Sequence, residues 1–551
     1  MIAQTFFRHP ILSPRVRELG LPILAGLLIA AVFVGGIQLR RWVGENTRHV
    51  RYQHDLVNAL YWGNETLKEA RRLSPDEATA NSWAGFLRGY LGLYDHVKDE
   101  ADDNEYNLDY PPLRLLVMSI WTKQVRSQFP AVDDEHPKLV NPLLKINLLC
   151  ELVSAVAIFF LVRLCMRRSF PTTRSRLLGS LPPRRRAWIL GLAAASVAWL
   201  EPSMILDAHG WPQWDVWVLP FYLFATLAAL NNRWFWCGCL LAGGAMLKGQ
   251  LLLVAPFFLL WPLWEKRWLP TLRMLAGFAA TAALIVLPWI LRTPAAWIAV
   301  ACVSVVSLLL LLRYKLSHRS EWFAGVIGCA AFVIGGLTGG SFAWLQIGFI
   351  YGTEHYPYLF ISSCHNLASL LANLGWSLKD PFWSADVGPL HLSLTLQWTL
   401  RFLYLGALAL CAYGAARHTR NRDPRLLIAI AAPWLVMFAL LAQMHERYLM
   451  WGAVISAVAL AVNVRLIVLH FIISIASTAM IVNVMLIDKK LDPTLRAIDV
   501  LNGVRPYASI LVLACVAAFL WNMLRTPVLQ QRPAGSTVPP SIALGPEPEE
   551  A

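Results

Sequence analysis

The chain alternates long uninterrupted apolar runs with short connections rich in charge, Pro or Gly, and the runs are long enough to cross a hydrocarbon core as helices. Spans are predicted near 19–38, 143–165, 187–204, 214–230, 234–248, 250–264, 270–291, 295–312, 322–340, 393–415, 425–443, 449–463, 466–487 and 507–524, about fourteen in all. Two connections are long, 39–142 and 341–392. The first is rich in acidic residues, has helix-like stretches near 52–72 and 75–93 and an acidic turn from Asp99 to Glu105, and predicts a folded helical lobe on the membrane surface. The expected fold class is therefore an all-α polytopic membrane protein. Its parts are a cytoplasmic N-terminus (1–18), the first transmembrane helix plus lobe (19–142), a transmembrane bundle carrying the 341–392 loop (143–524), and a disordered cytoplasmic tail (525–551). No fixed-period repeat is visible.

Composition agrees with this pattern: 57% of the 551 residues are hydrophobic, with a mean hydropathy of +0.50. The net charge of +14 would suit nucleic acid, but the basic residues lie in short loops between apolar runs, where a positive-inside bias places them. Nucleic-acid binding is therefore set aside. The connection 167–186 holds Arg167, Arg168, Arg174, Arg176, Arg184, Arg185 and Arg186 without an acidic residue, which makes it cytoplasmic. Counting from it puts the N-terminus, the 265–268 and 313–321 turns and the Arg417-to-Arg425 turn on the same side. The two long loops and the connections near 205–213, 248–250 and 444–448 fall on the other side. The stretch 19–38 exceeds a signal-peptide core and lacks a small-residue cleavage site, so it reads as a retained helix. All cysteines but Cys364 lie in or beside apolar runs, and Cys237-Gly238-Cys239 has no second pair, so neither disulfide nor structural metal is expected.

Ionisable residues at membrane depth are costly unless they line a wet cavity or find partners. Four groups qualify, all assigned by the count to the non-cytoplasmic side. Asp55 stands seven residues ahead of Trp62; alone it could be a solvated acid on a surface helix. Asp109 and Tyr110 precede Pro111 and Pro112, whose rings restrict the backbone, and Asp109 could equally be a helix cap. Asp207, His209, Gln213 and Asp215 crowd one short connection, and Lys248 with Gln250 interrupts two apolar runs; a polar turn and a snorkelling lysine are the plain alternatives. His445, Glu446, Arg447 and Tyr448 interrupt two further spans, where interfacial anchoring is the competing reading.

In order and spacing these groups resemble the motifs of the GT-C membrane glycosyltransferases, most closely the lipid-linked-oligosaccharide glucosyltransferases that use dolichyl-phosphate-glucose, and their bacterial relatives. An acid seven residues before Trp matches Asp55 and Trp62. The family's Asp-Tyr-Pro-Pro-Leu string is matched without change by Asp109 to Leu113. Asp207, His209, Gln213 and Asp215 match a later turn with His and Gly reversed and Asp in place of Asn. Lys248, Gly249, Gln250 and Pro256 match a Lys-Gln motif with one inserted residue, and His445-Glu446-Arg447 stands for His-Glu-Lys. The motifs span positions 55 to 448, and the Asp55-to-Asp109 interval is longer than in the eukaryotic glucosyltransferases.

The resemblance implies a GT-C-like bundle of about fourteen helices and an inverting transfer of a hexose, glucose or mannose, from a polyprenyl-phosphate donor to a lipid-linked glycan, protein or envelope acceptor. Asp55 is then the catalytic base; His445, Arg447 and Lys248 bind the donor phosphate. Asp109, Tyr110, Glu446, Asp207, His209, Gln213 and Asp215 support the base or orient the acceptor. The partners are the lipid-linked donor, the acceptor and membrane lipid; no cofactor or metal is expected, and a bacterial inner membrane fits better than endoplasmic reticulum. A lipid-linked glycan ligase or polymerase, and a transporter or flippase, are the alternatives.

Overall fold

The computed structural model describes residues 14–47, 54–100, 108–130, 132, 136–169, 182–314, 317–358, 363–487 and 492–525. The first thirteen residues, most of the predicted acidic turn, the middle of the arginine-rich connection and all but the first residue of the predicted tail lie outside the described residues.

Apolar runs without internal polar breaks satisfy their backbone only as helices when water is absent, and that is how this chain folds. Helices stand at every predicted span. Among the described residues eight are long and apolar enough to cross a membrane, and a ninth forms if Pro183–Trp199 and Pro202–Gly210, bent by 43° at their break, count as one span. Asp215–Leu230, Trp234–Leu247, Leu251–Trp264 and Leu426–Leu440 are shorter. At a rise of ~1.5 Å per residue, a helix of about fourteen residues reaches only ~21 Å, less than a hydrocarbon core of ~30 Å. The segment expected at 449–463 is an α-helix over Leu449–Ser456 that tightens into a 3₁₀ turn over Ala457–Ala461.

The outward faces are apolar. Leu284, Ile298, Val305, Val333, Leu337, Phe471, Ile475 and Trp521 are all exposed, a surface suited to lipid rather than water. Inside, small residues let helices approach closely. Gly238 and Gly277 face each other's backbones, so a Cβ on Gly238 would strike the Met274 carbonyl and one on Gly277 the Phe235 carbonyl. Leu426–Leu440 is buried along nearly its whole length and forms the centre of the core.

Between the first two long helices, Pro14–Asn46 and Pro137–Arg168, come His54–Arg72, Glu77–Asn81, Trp83–Glu100 and Pro112–Gln128. The two stretches expected to be helical in this region are so, with a break at Ser82. The chain is an all-α polytopic membrane protein with one small addition, an antiparallel hairpin of Pro381–Val387 and Leu390–Thr395 at the end of the 341–392 loop. Residues 381–395 carry β-branched and aromatic side chains about a turn at Gly388, whose φ of +63° a glycine adopts without strain.

The basic connections gather at one end of the bundle. Arg168 donates to the carbonyl of Leu230, Arg267 to the side chain of Asn232, Arg420 to the carbonyl of Trp264 and Arg425 to the carbonyl of Arg525. The helices Asp215–Leu230, Trp234–Leu247, Leu251–Trp264 and Leu426–Leu440 run from there to the end that holds Asp215, Lys248 and the 444–448 turn.

Replacing Gly277 by Leu is expected to abolish recovery of a monodisperse detergent-solubilised protein, because helix approach is blocked. Gly406→Leu, at a position with open space around its Cβ, should elute as the parent does. Equal size-exclusion profiles for the two variants would contradict the close-packing argument.

Candidate functional site

The connection between Pro183–Trp199 and Asp215–Leu230 is held from below. Glu201 begins the short helix Pro202–Ile205, and the chain then widens into a π-helical turn, Leu206–Gly210, closed by Trp211 N–H donating to the Leu206 carbonyl at 2.7 Å. Such turns recur at functional positions because they displace side chains from the ordinary helical register. Asn147, fully buried on Pro137–Arg168, donates to the carbonyls of Ala208 and Gln213, both at 2.8 Å, and accepts from Trp217 Nε1 at 2.7 Å. The turn cannot slide along that helix without breaking these bonds.

Asp215 follows, its side chain fully buried. Its Oδ2 accepts from Arg447 Nε at 2.7 Å, its Oδ1 from Lys248, and its backbone carbonyl from Trp451 Nε1 at 2.8 Å. Arg447 also reaches outward: Nη1 lies 3.0 Å from Oδ2 of Asp55. Four charged groups from four parts of the sequence thus alternate in sign, Lys248–Asp215–Arg447–Asp55. Aromatic faces line the two cations, with Lys248 Nζ 4.9 Å from the Tyr448 ring and the Arg447 guanidinium 5.0 Å from Trp211. Gln250 donates to Tyr448 Oη at 3.2 Å.

Asp55 lies in the first turn of His54–Arg72, where the helix dipole favours a carboxylate. Trp62 lies two turns further along the same face and is buried. Burial pushes the Asp55 carboxyl up, but Arg447, His445 and Arg114 together outweigh it and hold the group below its usual range. His445 is 3.5 Å from Glu446, which accepts from Ser363 of the 341–392 loop. Cys364 Sγ to the Met444 carbonyl (3.0 Å) and Asn366 Nδ2 to the Leu441 carbonyl (3.2 Å) fasten the same loop to this turn.

Asp109 is exposed and lies within electrostatic reach of Arg114, Lys248 and Asp55. It does not cap the following helix, whose N-cap is Pro111 without a side-chain bond. Tyr110 is buried beside it, and its carbonyl accepts from Tyr94 Oη at 2.5 Å.

The structure therefore brings Asp55, Lys248, Arg447, Asp215 and Tyr448 into one connected set, with Asp109 and His445 at its edge. Two sets of pairings were not specified by the sequence. Lys248 and Arg447, expected to await a phosphate, are both bonded to Asp215. His209 points away to Glu151, with Nε2 2.9 Å from Oε2. Glu151 also accepts from Arg40 Nε at 2.7 Å, and Arg40 donates to the Trp199 carbonyl at 2.8 Å. Sequence reading missed both partners. A lone Glu inside the 143–165 run and an Arg just beyond the 19–38 run were the available signals.

Asp207 and Gln213 are fully buried, and neither Asp207 oxygen nor either end of the Gln213 amide has a hydrogen-bond partner among the described residues. No group of three His, Cys, Asp or Glu side chains among the described residues is arranged to hold a metal ion. Alternating charges at a partly exposed carboxylate can accept a proton and bind an anionic group side by side.

Removing Glu151 would leave Arg40 buried and uncompensated, a change that costs ~3–5 kcal/mol in buried pairs. Glu151→Ala should therefore lower the apparent melting temperature strongly, and the double variant Arg40→Met/Glu151→Leu should recover most of the loss. A single variant as stable as the parent would contradict the assignment. Compared with known families and curated proteins, the chain matches no family model and no curated protein.

Proposed function

We propose that the protein is an inverting, GT-C-type glycosyltransferase that moves a hexose from a polyprenyl-phosphate donor to a lipid-linked glycan, protein or envelope acceptor. In this reading it crosses a bacterial inner membrane about fourteen times, with both termini cytoplasmic, and its first loop forms a lobe on the opposite face. The observation that carries the reading is the ion-pair chain: Asp55, Lys248, Asp215 and Arg447 come from motifs read separately in the sequence, and all four are joined.

The chemistry needs little else. The acceptor oxygen bonds to the anomeric carbon as the bond from that carbon to the phosphate oxygen breaks. The electron pair departs with polyprenyl phosphate, and the acceptor proton passes to Asp55. A phosphate leaves readily, so cations beside it suffice and no general acid is required. Asp55, held below the usual carboxylate range, is ionised throughout the neutral range and so available as base. Asp215 holds Arg447 against it. Asp109 and Tyr110 orient the acceptor in this reading, and Glu446 ties His445 to the 341–392 loop. His209, Asp207 and Gln213 support the turn that carries Asp215.

Reconstituted into vesicles and supplied with polyprenyl-phosphate glucose or mannose and a membrane-lipid acceptor, the protein should transfer sugar. Asp55→Asn should lose ~10²- to 10⁴-fold in rate, the usual contribution of a positioned base. Unaltered transfer by a folded Asp55→Asn variant would overturn the base assignment. Transfer from an oligosaccharide pyrophosphate but not from the monophosphate donor would favour a ligase or polymerase.

The pH profile gives a second check. Because the folded-state value of Asp55 is depressed, its ion pair stabilises the fold above the unfolded value of ~3.9 and is lost as pH falls through the folded one. The acid limb of kcat/KM should therefore lie below pH ~4. Arg447→Ala removes the cation and leaves the burial, so the limb should move to higher pH; a limb that stays in place would exclude Asp55 as the titrating base.

A further inference from the structure

We infer that Arg114 is the residue that docks the donor's phosphate, a role the sequence motifs gave to His445, Lys248 and Arg447. The inference rests on the transfer reading above and assigns its anion subsite.

Arg114 lies in the first turn of Pro112–Gln128, directly after the Pro111-Pro112 pair. Its guanidinium carbon stands 4.3 Å from the centre of the Tyr110 ring and 5.1 Å from that of Trp214, two aromatic faces that fix its orientation. Its charge acts on Asp55, Asp109, Asp215 and Lys248, which places it within the cluster. Lys248 and Arg447 both bond to Asp215, and Arg447 also contacts Asp55. Arg114 has no carboxylate within ion-pair distance among the described residues, and its Nε is buried with no hydrogen-bond partner.

Two further features make the position unfavourable for a cation with nothing to bind. Positive charge in a first helical turn opposes the helix dipole, and this helix has no acidic residue in that turn to offset it. A buried guanidinium donor left unmet also forfeits its hydrogen bond with water. An anion removes both penalties. The side chain as a whole is only partly buried, so its remaining donors can be reached.

A guanidinium matches the two non-bridging oxygens of a phosphodiester by paired hydrogen bonds. Negative charge on the phosphate grows as the bond to the sugar breaks, so the contact strengthens toward the transition state. Arg447 and Lys248 then keep Asp55 and Asp215 in place, and Arg114 and His445 face the donor.

The test is binding of polyprenyl monophosphate to the purified full-length protein in detergent, measured by ligand-induced thermal stabilisation, with unphosphorylated polyprenol of the same length as control. Wild type should prefer the phosphate. Arg114→Ala should lose at least ten-fold in affinity for it and bind polyprenol unchanged, and Arg114→Lys, which keeps the charge but not the fork, should fall between. A role in packing alone would weaken both ligands equally.

If Arg114→Ala does not fold, Arg114→Lys decides: binding as tight as wild type overturns the docking role. A folded Arg114→Ala that binds polyprenyl monophosphate like wild type overturns it as well, leaving the transfer reading intact. A wild-type protein that does not distinguish the phosphate from polyprenol overturns the transfer reading and this inference together.

Discussion

The arrangement depends on one buried carboxylate. Asp215 is fully enclosed and its two oxygens bond to different cations, Arg447 and Lys248, which lie 232 and 33 residues away in sequence. Taking three charges out of water is costly, and the cost is recovered only if geometry and hydrogen bonding are both good. Trp451 meets the backbone carbonyl of Asp215, and Asn147 fixes the turn before it. Because Arg447 has a second contact with Asp55, the position of the first-loop helix relative to the bundle is coupled to the same carboxylate.

The second polar network, around Glu151, works at a different level. Arg40, Glu151 and His209 join the first helix, the long helix Pro137–Arg168 and the π-helical turn. None of these groups reaches the Asp55 cluster directly. They decide where the turn carrying Asp215 sits, and they do so in a dry interior where an unpaired charge would be most costly.

Helix positions were legible in the sequence because apolar runs must become helices where water is absent. Span counting was less secure: four of the predicted spans are helices shorter than a hydrocarbon core is thick, and an apolar run reads the same whether bundle or lipid covers it. The hairpin at 381–395 was hidden because its length and mixed pattern fit an irregular loop equally well. In the candidate site, the motifs located Asp55, Asp109, Lys248, Asp215 and Arg447. Which cation pairs with which acid depends on angles and depths that spacing does not encode. Glu151 and Arg114 each stand alone in apolar surroundings and Arg40 stands beside Arg41, and only the folded chain gives them partners or leaves them without.

Buried polar atoms without hydrogen-bond partners among the described residues are spread through the bundle, from Thr122 and Arg163 to Asn483 and Ser509, and a few of them fall at the candidate site. Asp207 and Gln213, buried without partners, lie in the turn that supplies Asp215, and Arg114 with its unmet Nε lies in the segment that supplies Asp109. A chain selected for stability alone would replace such groups with apolar ones, as buried ion pairs can often be replaced without loss. A buried polar atom without a partner calls for an explanation, and a catalytic role is one such explanation. The Lys248–Asp215–Arg447–Asp55 chain is linear, with Lys248 at one end and Asp55 at the other. In the proposed reading, an incoming anion meets a site where Asp55 and Asp215 are already paired with cations and Arg114 is not.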